Sequence, residues 1–98
     1  IRSFEFSRSG DNALHLAADL LASIRRMQSE TAATGARDLD YDVPYTTLHA
    51  GVLRGGTSLN IVPDQAILDF EIRYLAGDDP DAMLAALAND VAAIVASH

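Results

Sequence analysis

Cysteine is absent from the chain, which rules out disulfides and thiolate metal ligands and leaves the redox compartment unread. Lysine is absent too: all seven basic residues are arginines, scattered rather than striped, against fourteen acidic residues. The resulting net charge of −7 repels nucleic-acid phosphates, so nucleic-acid binding is not expected. No apolar run approaches the length of about 18 residues that a membrane-spanning helix requires, and no basic-then-apolar leader opens the chain. Neither membrane insertion nor secretion is expected, and a cytoplasmic location is. What the chain does have is apolar residues at 49% of 98 positions, enough for one small core and too many for disorder. It starts at Ile1 without a methionine and stops just after an apolar helical pattern, as a fragment of a longer polypeptide would.

Alternation sets Phe4 and Phe6 against Ser3, Glu5 and Ser7 and predicts a strand over 1–7. A helix is predicted over 12–34, capped by Asp11 or Ser9 and stopped by Gly35. Ala13, Leu14, Ala17, Leu20, Leu21, Ile24 and Met27 recur at helical spacing and mark its buried stripe. A connector over 36–44 carries Asp38-x-Asp40-x-Asp42, the opening of a calcium loop. Val43 and Pro44 then replace the required glycine and its successor, so a solvated acidic linker is expected instead.

Two more strands are predicted, over 45–54 and 66–75. In the latter Ala66, Leu68, Phe70, Ile72 and Tyr74 form one face, opposed by Gln65, Asp69, Glu71 and Arg73. Such alternation describes a sheet covered on one side and open on the other. Gly77-Asp78-Asp79-Pro80-Asp81 then opens a last helix, with an aspartate cap and proline at the first helical position. Met83, Leu84, Leu87, Val91, Ile94 and Val95 would be its buried stripe. The fold class is therefore α+β, a ferredoxin-like βαββα(β) two-layer sandwich: an antiparallel sheet with two helices on one face, its last strand lying beyond His98.

Few residues suggest chemistry. His15, His49 and His98 lack paired metal-ligand spacing, and no nucleophile elbow or phosphate loop occurs. Gly55-Gly56 marks a tight turn. Asn60 follows a mobile Gly-Gly-Thr-Ser stretch and precedes a proline-restricted backbone; it either bonds its own turn or presents its amide to a ligand. Arg73 either pairs with Glu5 or Asp69 across the sheet or grips a substrate carboxylate with its planar fork.

The run Gly55-Gly-Thr-Ser-Leu-Asn-Ile-Val-Pro63, followed by Phe70-Glu-Ile-Arg73 and Gly77-Asp-Asp-Pro80, resembles the lid or dimerisation domain of zinc amidohydrolases. Acetylornithine deacetylase, succinyl-diaminopimelate desuccinylase and glutamate carboxypeptidase belong to that group. The longer run Asp42-Val-Pro-Tyr-Thr-Thr-Leu-His-Ala-Gly-Val-Leu-Arg-Gly-Gly is most similar to acetylornithine deacetylases. The likeness covers almost the whole chain. It implies that residues 1–98 are one lid domain of a two-domain enzyme, with no catalytic or metal-binding residue of its own. The catalytic domain would hold zinc, or cobalt, and a glutamate base. The resemblance puts substrate contacts on Asn60 and Arg73, with Gly55 and Gly56 beside them, and a homodimer through the sheet edge and the first helix. Relatives also carry Gly-x-x-x-His-Ser-Ser between the first strand and first helix, where this chain passes from Ser7 straight to Arg8. A disordered segment is expected to be lacking there, and an ordinary peptide bond between the two would reject that expectation.

The expected activity of the whole protein is hydrolysis of N-acetyl-L-ornithine to ornithine and acetate, the isolated chain being inert. Two alternatives stand beside it. One is another member of the family, acting on succinyl-diaminopimelate or a different small acylated amino acid. The other is a stand-alone ferredoxin-like module that binds a ligand or a protein.

Overall fold

A computed structural model describes residues 2–7, 11–34, 39, 45–75 and 77–97. In chain order the elements are β1 (Arg2–Ser7), α1 (Ala13–Thr34), β2 (Thr47–Gly55), β3 (Gln65–Arg73) and α2 (Pro80–Ala96). The three strands form one sheet in the order β1-β3-β2, and β3 is antiparallel to both neighbours. Thus β1 and β2 run parallel on either side of β3, joined by α1 as a split βαβ unit. The α+β, ferredoxin-like class is what the structure shows. Gly35, the aspartates of the acidic connector and the Ser7–Arg8 junction lie outside the described residues.

Register explains which face is buried. Phe4 and Phe6 of β1 oppose Leu68 and Ala66, and on the other side Leu48, Ala50 and Leu53 oppose Ile72, Phe70 and Leu68. All these side chains point to one face, and Phe4 stacks on Phe70 at 5.7 Å between ring centroids with planes 2° apart. A bulge at Gly51 separates Ala50 from Val52. The extra residue keeps Leu53 on the covered face, although Ala50 and Leu53 are three residues apart.

At about 1.5 Å per residue α1 is roughly 33 Å long, enough to run the length of the sheet. Ala13, Leu16, Ala17, Leu20 and Ile24 press into the core beside Leu68 and Phe70. Leu16 extends the stripe read from the sequence, while Leu14, Leu21 and Met27 sit at its margins. The helix begins one residue later than expected and its cap is Asn12: the Asn12 Oδ1 accepts from the His15 backbone N–H at 3.1 Å. Helix α2 is capped by Asp79, whose side chain accepts from the N–H groups of Asp81 and Ala82, with Pro80 at the first helical position. Of its six apolar stripe residues only Leu87 is fully buried. The others are half-covered, because α2 packs along α1 at the margin of a sheet only three strands wide.

A buried polar network closes the end of the sheet where β3 stops. Thr46, just ahead of β2, is fully buried. Its hydroxyl donates to Asp78 and accepts from the Leu75 backbone N–H at 3.0 Å. Its carbonyl accepts from Gln28 Nε2 of α1 at 3.4 Å, and Gln28 Oε1 accepts from the Leu48 N–H. Four elements meet there, and among the described residues no buried side-chain polar atom lacks a partner.

Candidate functional site

The connection from β2 to β3 carries the glycine pair and Asn60. Each glycine has a backbone reason. A Cβ on Gly55 would lie 2.9 Å from the Gln65 carbonyl oxygen and 3.0 Å from the Ala66 Cβ, so the two strands meet too closely there for a side chain. Gly56 has φ +84, in the left-handed region that favours glycine. Past it, the Ile61 N–H donates to the Ser58 carbonyl at 3.2 Å, closing a turn with Asn60 inside it. The Ala13 N–H, otherwise an orphan of the first helical turn, donates to the Pro63 carbonyl at 2.8 Å and ties the connection to α1. An open cleft of about 750 Å³ lies between this connection and Asn12 and Leu14.

Asn60 is exposed, and its Oδ1 accepts from the Ser58 hydroxyl at 2.7 Å. It therefore bonds its own turn, one of the two roles weighed from the sequence. Leu59, Ile61 and Val62 beside it are exposed as well, giving the connection an apolar tip.

Arg73 ends β3 on the helix-free face, its side chain 80% exposed. Its partner is Glu71, the nearest residue on the same face of the same strand, at 3.3 Å from Nε to Oε1. The expected pairing with Glu5 or Asp69 does not occur. Glu5 faces Ile67, six residues along β3, or roughly 20 Å of strand. Asp69 is instead engaged by the Ser3 hydroxyl at 2.5 Å and by Arg54 at 3.6 Å. Thr47 opposes Arg73 and His49 opposes Glu71, and together with Gln28 and Leu48 these residues line an open cleft of about 440 Å³.

Asn60 and Arg73 are not brought together. The strand from Gln65 to Arg73 separates the Asn60 connection from the guanidinium by about 26 Å at the usual rise per residue. One small molecule cannot touch both within one chain. Among the described residues no three His, Asp or Glu side chains are grouped to hold a metal ion, so a zinc site does not fit the residues present. His15 and His49 are both exposed and sit on different elements, and His98 lies outside the described residues. Among the described residues no helix is long and apolar enough to cross a membrane.

The chain is a small sandwich whose polar groups sit on an uncovered sheet face and at one connection. The chain belongs to the peptidase dimerisation domain family, whose model matches residues 3–98. It is similar to a protein from Arthroderma gypseum described as "Probable carboxypeptidase", 32% identical over 73 residues. The aligned segment is 74% of this chain but 16% of that relative, so the chain spans only a small part of its relative's length.

Proposed function

We propose that this chain is the dimerisation and substrate-covering domain of a metal-dependent amide hydrolase whose substrate carries a free carboxylate. N-acetyl-L-ornithine is the favoured substrate, through the similarity of the 42–56 run to acetylornithine deacetylases. The observation that carries this is Arg73: an arginine at the end of a strand, on the uncovered face, held by one acidic neighbour and open to solvent. A guanidinium so placed offers paired donors to a carboxylate, a contact worth about 1.5–3 kcal/mol when charge-assisted.

The metal, zinc or cobalt, and the general base belong to residues outside this chain. When bound, the metal would supply an activated water and polarise the scissile carbonyl. This chain's part is to pair with a second copy, cover the reaction from water and hold the substrate. Since Arg73 and Asn60 stand at opposite ends of β3, they serve two different substrate sites in the homodimer, with Gly55 and Gly56 shaping the Asn60 end. A carboxypeptidase-like activity is the second reading, favoured by the Arthroderma relative, and it would use Arg73 on a peptide's terminal carboxylate in the same way.

The test is a substrate panel on the metal-loaded, full-length polypeptide: N-acetyl-ornithine, N-succinyl-diaminopimelate and a peptide with a free C-terminus. The highest kcat/KM is expected on N-acetyl-ornithine, with the 98-residue chain alone inactive on all three. Cleavage of the peptide with no action on N-acetyl-ornithine would give the function to the second reading.

A further inference from the structure

The contact between Arg73 and Glu71 is one-sided in a way that matters for binding. A guanidinium can meet a carboxylate along two paired edges: Nε with one Nη, or the two Nη atoms together. Glu71 Oε1 lies 3.3 Å from Nε and takes up the first edge. Among the described residues the guanidinium makes no other hydrogen bond, so the edge formed by the two Nη atoms is the one left to a ligand. Glu71 is less exposed than the group it holds, its side chain 43% exposed against 80% for Arg73, with His49 opposite it on β2. Arg73 lies beyond the end of β1, whose pairing begins with Arg2 opposite Phe70, and among the described residues it has only Thr47 as a cross-strand neighbour. Among the described residues, Glu71 is the one charged group in contact with the guanidinium.

We propose that Glu71 is a positioning residue: it closes the Nε edge of Arg73 and so sets the direction from which a substrate carboxylate docks. This rests on Arg73 as the carboxylate anchor. Glu71 has two opposed effects on that anchor. Its charge weakens attraction of a second carboxylate, whereas its acceptor oxygen aims the fork. Removing the whole group therefore loosens placement without weakening attraction, while exchanging it for an amide keeps the acceptor and removes the charge. A residue that only supported the fold would not separate kcat from KM in this manner.

The experiment measures kcat and KM for an N-acyl amino acid with a free carboxylate, using the metal-loaded, full-length polypeptide and its Glu71→Ala, Glu71→Gln and Arg73→Ala variants. Glu71→Ala is expected to lower kcat by about tenfold, since small misplacements of a reactant cost one to two orders of magnitude, while KM does not rise. Glu71→Gln is expected to recover most of that loss and to lower KM. Equal melting temperatures across the series separate these effects from unfolding. The proposal is overturned, with the anchor intact, if Arg73→Ala raises KM but Glu71→Ala changes nothing or raises KM at constant kcat. An Arg73→Ala variant with unchanged KM removes the anchor itself and overturns both.

Discussion

Thr46 and Asp78, 32 positions apart in sequence, are joined side chain to side chain, and that bond ties the start of β2 to the entry of α2. The same hydroxyl holds the Leu75 N–H, two residues beyond Arg73. Replacing Thr46 by valine keeps the shape and removes the hydroxyl, so the Leu75 N–H loses its acceptor and Asp78 loses this donor in a part-buried place. A loss of about 1–3 kcal/mol is expected, seen as a lower urea midpoint at unchanged slope. Thr46→Ser, which retains the hydroxyl, should lie much closer to the parent.

The glycine pair should be intolerant for two separate reasons. Gly56→Ala puts a side chain on a left-handed residue, at a cost of about 1–2 kcal/mol. Gly55→Ala instead drives a Cβ against the backbone oxygen of Gln65, so the hairpin must open. Thermal melts of the two variants should both fall, and amide exchange should accelerate at Gln65 and Ala66 in the second more than in the first.

The depth of the core is checked by two truncations. Leu20 is fully buried between α1 and the sheet, whereas Val91 of α2 is only half-covered. Leu20→Ala should cost about 2–5 kcal/mol, and Val91→Ala well under half as much. Equal costs would mean that α2 is more deeply packed than its margin position allows.

Separation of Asn60 from Arg73 along β3 has a consequence for the proposed homodimer. If each serves a different substrate site, mixing Asn60→Ala and Arg73→Ala full-length subunits gives hybrids in which one site loses both contacts and the other keeps both. Activity of the mixture should then rise above that of either parent variant. A mixture no more active than the average of the two would place both contacts at one site.

Local chemistry made α2 legible almost to the residue, since the Asp79 cap and Pro80 act within one turn and need no tertiary help. The alternation over 66–72 likewise announced a sheet covered on one side. Contacts distant in sequence were harder to see. Nothing in the run around Thr46 distinguishes it from Tyr45 or Thr47; its burial comes from Gln28 and Asp78 arriving from other elements. The partner of Arg73 depended on register, because β1 ends three residues short of it and puts Glu5 out of reach. The α2 stripe was readable as apolar, but how much of it is covered depends on the width of the sheet. At the site, the sequence singled out Asn60 and Arg73 as side chains, and only the strand between them shows that they stand apart. Glu71 was visible as a member of the open face; the signal for its role, an acid two residues before an exposed arginine on one strand, was there to be read.

The most direct measurement is a double-mutant cycle between Arg73 and the substrate's own carboxylate. The full-length polypeptide and its Arg73→Ala variant would each be assayed on N-acetyl-ornithine and on its carboxamide analogue, comparing kcat/KM. A coupling of about 1.5–3 kcal/mol is expected, with the variant indifferent to whether the carboxylate is present. Additive effects, with coupling near zero, would contradict Arg73 as the group that holds the substrate.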